Sequence, residues 1–182
     1  MRHRTINLHV GCGTVRLDGW INMDLDAFPG MDIMADARIG LPFRDGSVLR
    51  VFAEHFIEHL TREEGGVFLR ECHRILKPRE GILRLSTPNL DWVWVTHYRW
   101  PADPALKRSN CAMLNQGFYG WGHRFLYNDT VLADQLTEAG FREHKFFDYG
   151  ASDRTDLADL ERHEKSPDLE TLPHVIIAQA YR

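Results

Sequence analysis

The residues able to do chemistry near neutral pH gather at the ends of short apolar runs. Gly11-Cys12-Gly13 closes the run Ile6 to Val10, and its two glycines let a ligand approach the backbone closely. Asp24 closes the next run, from Trp20, and offers an acceptor-only carboxylate of the kind that holds a pair of ribose hydroxyls. Asp36 follows a third run, Met31 to Ala35. Glu54-His55 follows a fourth, Val48 to Ala53, and an imidazole titrates near the pH at which a base is useful. Further on, His123-Arg124 follows Trp121-Gly122, a pairing of one possible base with one bidentate anion donor. The segment His55-Phe56-Ile57-Glu58-His59 also spells H-x-x-E-H, a spacing that can place two imidazoles on one helical face around zinc.

These residues need elements to hold them. The apolar runs are short and β-like, and each ends on a glycine or an acidic residue. After His59 the period changes to helical, with Thr61 as N-cap, Glu63 and Glu64 in the first turn, and Pro78 as the stop. Gly81 opens another strand, Ile82 to Ser86, that ends at Pro88-Asn89. Helices are expected from Asp91 to about Tyr98, after Pro104, and after Asn128 with Gly140 as its C′ residue. Two final strands, Phe141 to Tyr149 and His174 to Tyr181, follow without a full crossover pattern. A charged insertion, Ala151 to Leu172, separates them and is expected to hold a short helix near Leu157 to Leu160. The alternation predicts a single α/β domain over residues 1–182. Its sheet is Rossmann-like, doubly wound and mostly parallel, with an antiparallel last strand and the first two crossover helices shortened.

In such sheets ligands bind at the carboxyl ends of the strands, so the glycine loop and Asp24 together indicate a nucleoside pocket. A dinucleotide fingerprint would need a third glycine where Arg16 stands, and a full helix where only residues 14–19 intervene. No GxxxxGK[ST] phosphate loop is present. A nucleoside without phosphates fits better, and S-adenosylmethionine is the obvious one.

At this point the chain resembles the class I S-adenosylmethionine-dependent methyltransferases, specifically the short bacterial type-11-like group. The resemblance rests on several segments in order: Asn7 to Gly13, Gly19 to Asp24, Ala35 to Ala37 with Leu41 to Ser47, Glu54 to Leu60, Arg74 to Pro78 with Gly81, and Pro88-Asn89. Trp121 to Tyr127 with Glu138 to Phe141 completes the series. Pro78 to Gly81 departs from the group's usual proline-glycine-glycine. The resemblance implies that Gly11, Cys12, Gly13, Asp24, Leu25, Asp36, Ala37, Glu54 and His55 bind S-adenosylmethionine. It implies methyl transfer to a small-molecule or glycan acceptor, O-methylation first, with His55 and then His123 as candidate base. Asn89, His123 and Arg124 are the candidate acceptor contacts, and Trp92, Trp94 and Trp100 could line an acceptor pocket. Glu58 and His59 read as helix-start residues.

Two other readings stay open: a non-catalytic S-adenosylmethionine-binding module, and a zinc peptidase built on the H-x-x-E-H run. The second is the weaker, because the motif follows a strand directly, beside a nucleoside-type glycine turn; no metal ligand is assigned. Composition adds exclusions. The 182 residues carry 22 basic and 26 acidic side chains, a net charge of -4, which disfavours a nucleic-acid partner. No apolar run reaches the roughly 18 residues of a bilayer span, so no integral membrane association is expected. Three cysteines without a CxxC pattern suggest reduced thiols and a cytoplasmic location. The oligomeric state is not legible.

Overall fold

The computed structural model describes residues 5–97, 103–163, 168–169 and 172–182. Trp100 and the expected helix end at Tyr98 lie outside the described residues. Among the described residues seven strands form one sheet: β1 (Ile6–Val10), β2 (Ile21–Asp24), β3 (Ile33–Met34), β4 (Val48–Glu54), β5 (Ile82–Pro88), β6 (Glu143–Phe147) and β7 (Val175–Tyr181). Their order is β3-β2-β1-β4-β5-β7-β6, with β1 to β5 parallel and β7 antiparallel to both β5 and β6. The sheet is thus mostly parallel with an antiparallel strand, as the two terminal runs predict. Strand order reverses between β1 and β4, so the residues just beyond those two strands, Gly11 and His55, flank the crevice where such sheets bind ligands.

Period-2 alternation divides the strand residues between two faces. On one face Leu8, Val10, Val51, Ala53, Leu83, Leu85, Ile176 and Ala178 pack beneath α1 (Arg62–Ile75) and α4 (Asp129–Glu138). Helix α1 starts where expected, because Thr61 and Glu64 form a reciprocal capping box, and it ends before Pro78. Helix α4 is capped by the Asn128 side chain, and Gly140 beyond it has φ +106°.

The other face is polar where a parallel sheet is ordinarily apolar. His9, Asn22, Arg50, Arg84 and Gln179 are all buried there. His9 and Asn22 pair with each other at 3.2 Å, while Arg50, Arg84 and Gln179 find partners in residues 151–163, which run across the sheet as a strap. Arg84 donates to both carboxylate oxygens of Glu161, at 2.8 and 3.0 Å, and to Gln179 Oε1 at 2.8 Å. Arg50 meets Asp156 at 2.9 Å, and Ser152 donates to Gln179. Leu157 and Leu160 add apolar contacts to Phe52 and Ile82. The helix expected near Leu157 to Leu160 is absent; that stretch is turn, because its carboxylates and backbone are drawn to fixed points on the strands rather than to one another.

The two first crossovers, residues 11–20 and 25–32, contain no helix. Asn22 braces the first: its Nδ2 donates to the Leu17 and Trp20 carbonyls, both at 3.2 Å, and its Oδ1 accepts the Leu17 N–H at 2.9 Å. Asp32 accepts the Asn22 N–H at 2.8 Å and ties the second connection to the same point. After β5 come α2 (Leu90–His97), α3 (Pro104–Asn115) and a wide π turn over Gln116–Gly120.

Candidate active site

Two cavities open at the carboxyl ends of the strands. The first, about 470 Å³, lies over β1, β2 and β3, and its lining includes Gly11, Gly13, Asp24, Leu25, Asp36 and Ala37. That volume is within the roughly 300–1,000 Å³ common to small-ligand sites. Gly11 has φ +66°, and a Cβ there would stand 2.5 Å from Cδ2 of Phe56, so only glycine fits beneath that ring. Gly13 has φ +51° and a Cβ on it would meet nothing within 4 Å. Its bare backbone therefore forms part of an open cradle. The Gly13 N–H donates to Asp24 Oδ2 at 2.8 Å, and the Asp26 N–H to Oδ1 at 3.2 Å. These bonds fix the carboxylate at the cavity wall while leaving lone pairs for a ligand's hydroxyls. Asp36 is clamped by Arg38, whose Nε and Nη2 reach its two oxygens at 2.8 and 2.7 Å. That pairing holds the Asp36 carboxyl below its usual range. Leu25, Phe28, Ala35 and Ala37 supply apolar surface. Glycine cradle, fixed carboxylates and apolar walls fit an adenosyl group.

The second cavity, about 420 Å³, is lined by His55, His59, Pro88, Trp92, Val93, Gly117, Trp121, His123 and His174. His55 and His59 line both cavities. His55 adopts φ +46°, a conformation uncommon for a residue with a Cβ. Such strain persists where surrounding contacts impose it and concentrates at functional positions. Here the contacts are specific. His55 Nδ1 lies 2.9 Å from Glu58 Oε1, and Glu58, which is 0% exposed, accepts the Thr87 hydroxyl on its other oxygen at 3.1 Å. In the neutral tautomer that donates to this carboxylate, Nδ1 carries the proton and Nε2 keeps its lone pair. That Nε2 is buried and, among the described residues, has no hydrogen-bond partner. His123 is buried with its Nδ1 at 2.7 Å from the Gly117 carbonyl, and burial pushes its pKa down although that carbonyl opposes the shift.

The structure thus brings together Gly11, Gly13, Asp24, Leu25, Asp36, Ala37 and His55, with His123 in the adjoining cavity. Four predicted residues are placed elsewhere. The Cys12 side chain is buried away from the cavity, and its N–H donates to the Met23 carbonyl at 3.1 Å. Glu54 points to the strap side, where it accepts the Arg162 N–H at 2.8 Å and the His163 ring nitrogen. Burial alone would raise the Glu54 pKa, but His163 and these backbone donors outweigh it and hold the group lower. Asn89 is buried and bound at both ends, donating to the Pro173 carbonyl at 2.9 Å and accepting the Asp91 N–H at 3.0 Å. It starts α2 and does not line either cavity. Arg124 reaches Glu64 at 2.7 Å on the surface. Of the three tryptophans expected near an acceptor, Trp92 lines the second cavity, Trp94 is half-exposed outside it, and Trp100 is not described. Sequence reasoning missed Glu58, whose i,i+3 spacing from His55 was the available signal, and His59, Trp121 and His174 as cavity walls.

The strand order and the crevice beside β1 are those of the class I methyltransferase fold. Residues 8–84, the part of the chain that builds the first cavity, match the family model described as a methyltransferase domain. No curated protein matches the chain. Among solved structures, it is similar to a SAM-dependent methyltransferase from Archaeoglobus fulgidus, with TM-score 0.61 and 18% identity over 99% of this chain and 88% of that one. It is also similar to a SAM-dependent methyltransferase described as a possible histamine N-methyltransferase, from Thermotoga maritima, with TM-score 0.59 and 16% identity over 97% and 81% of the two chains. A third, an S-adenosylmethionine-dependent methyltransferase from Mesorhizobium loti, gives 0.59 and 16% over 100% and 94%. At such identities the likeness establishes the fold. The match of residues 8–84 to the methyltransferase-domain model agrees with that fold and points to S-adenosylmethionine as the ligand of the first cavity.

Proposed function

We propose that the protein methylates a hydroxyl of a small ring-bearing molecule held in the second cavity, with His55 as general base. The observation that carries this reading is His55 itself. It stands in the wall shared by the two cavities, its Nδ1 held by a buried carboxylate and its Nε2 buried and without a hydrogen-bond partner among the described residues. Bound S-adenosylmethionine supplies an electrophilic methyl group on its sulfonium. The chain's own part is positioning, exclusion of water and removal of a proton. Asp24 and the Gly13 backbone hold the adenosyl end, and Asp36 with Ala37 faces the base. Glu58 orients the His55 ring, and the acceptor hydroxyl gives up its proton to Nε2. Trp92, Trp121 and the imidazoles of His59, His123 and His174 make this a ring-rich wall suited to a sugar or aromatic acceptor. No arginine or lysine among the described residues lines this cavity, so the groove suits a neutral acceptor rather than an anionic one. The free thiols of Cys12, Cys72 and Cys111 accord with work in a reducing, cytoplasmic compartment.

The test is His55→Ala, assayed against a panel of sugar and phenolic hydroxyl acceptors, with S-adenosylhomocysteine affinity measured by calorimetry. The expected result is a fall in kcat of about 10²–10⁴-fold with cofactor affinity held within a few-fold. Undiminished turnover would remove His55 as the base.

A further inference from the structure

Methyl transfer to a hydroxyl uses His59 and His123 only as part of the acceptor cavity's wall. Glu58, His59 and His123 each offer one ligand atom, and these three atoms lie within 4.8 Å of one another. Around a tetrahedral ion with bonds of about 2.1 Å, ligand atoms sit roughly 3.4 Å apart, so small side-chain movements close the site. We infer that Glu58, His59 and His123 form a binding site for a divalent transition ion of the zinc class, at the edge of the acceptor cavity.

The outer contacts of the two imidazoles suit them to this. His123 Nδ1 lies 2.7 Å from the Gly117 carbonyl and His59 Nδ1 lies 3.3 Å from the Gly122 carbonyl. Carbonyls only accept, so each ring donates through Nδ1 and keeps the Nε2 lone pair for another partner. Metal-bound histidines are oriented in this way, by a hydrogen bond from the nitrogen that does not bind the ion. The carboxylate supplies the charge. Glu58 is fully buried, and among the described residues no arginine or lysine pairs with it. A buried carboxylate calls for a compensating positive charge. Of its roughly four lone-pair positions, His55 and Thr87 engage two, so an oxygen can still bind an ion. Two nitrogens and one oxygen with room for a further ligand match zinc, cobalt, nickel and ferrous iron better than magnesium or calcium.

This is not the arrangement that the H-x-x-E-H spacing predicts. His55 has φ +46° and precedes a short 3₁₀ turn over Ile57–His59, so His55 and His59 are not successive residues of one α-helical face. The third ligand instead comes from His123, 64 positions after His59 in the sequence. Because His59 and His123 line the second cavity, the ion would border the space left for the acceptor and could polarise its hydroxyl. That catalytic role rests on the hydroxyl-acceptor reading; the ion site does not.

The experiment uses the untagged full chain, stripped with chelator, exchanged into clean buffer and titrated with cobalt(II). The expected result is one equivalent bound, with the visible ligand-field bands of a four- or five-coordinate ion. His59→Ala and His123→Ala should each weaken cobalt affinity by at least about tenfold, since loss of even an outer-shell partner costs about that much. Circular dichroism would verify that both variants fold, and His55→Ala should still bind cobalt. No binding by the wild type, undiminished binding in either histidine variant, or loss of binding in His55→Ala overturns the site. If cobalt binds as expected but turnover is independent of metal, the site stands and its catalytic role falls.

Discussion

Two glycines two positions apart do different work, and the difference can be tested. Gly11 is enclosed, its missing Cβ occupied by Phe56, whereas Gly13 faces open space in the cofactor cavity. In Gly13→Ala the fold should survive with a loss of about 1–2 kcal/mol, the cost of a Cβ at positive φ. S-adenosylhomocysteine affinity should fall by more than tenfold, as the methyl group enters the cradle. Calorimetry and a thermal melt measure both numbers; unchanged affinity would show that the cofactor does not approach Gly13. At this scale the sequence was a good guide to position wherever a residue stands at a strand end, as with Gly11, Gly13, Asp24 and His55, which all line the first cavity. It failed where the role depends on a distant partner. Glu54 looked equivalent to His55 beside it, yet strand alternation turns it toward His163, 109 positions away. Asn89 and Arg124 were taken by Pro173 and Glu64 for the same reason.

Among the elements, the structured first half was legible because its signals are local. Thr61, the early carboxylates and Pro78 mark α1 without reference to anything else. The capping box that results has a second use, since Glu64 bonds both the Thr61 N–H and, through the same oxygen, the Arg124 side chain. It joins the start of α1 to the chain just after His123. Thr61→Ala should therefore destabilise the protein by about 1 kcal/mol, as loss of an N-cap does, measured by denaturant titration. A loss below the precision of that titration would mean the Glu64 half of the box suffices alone. The strap was not legible as an element. Its composition suggested a helix, but its conformation is set by polar atoms on three strands that no local pattern reveals. The run from Met31 to Ala35 likewise pairs only over Ile33–Met34, the edge of the sheet offering it a neighbour on one side alone.

On the scale of the molecule, the strap replaces an apolar layer with a set of matched polar contacts. Arg84 and Glu161 are both 0% exposed at the side chain, so each is tolerable only because of the other. Arg84→Met should cost about 3–5 kcal/mol by leaving a buried carboxylate unpaired. Arg84→Met combined with Glu161→Leu should recover most of that loss, because an apolar pair of similar size carries no desolvation penalty. Urea unfolding of the two variants measures the difference. A double variant no more stable than the single one would show that the strap is held chiefly by its other contacts.

The same matching leaves a trace that needs no purified protein. A strand residue such as Arg84, Arg50 or Gln179 has a reason to be polar only while its counterpart is present in the strap. Among relatives, the two sets should therefore change together. Chains that cover this face with a helix should carry aliphatic residues at the positions of Arg50 and Arg84, and chains that keep the strap should preserve each charge with its opposite. Lineages would pass between the two types by paired replacements, since each half-step strands a charge inside the protein.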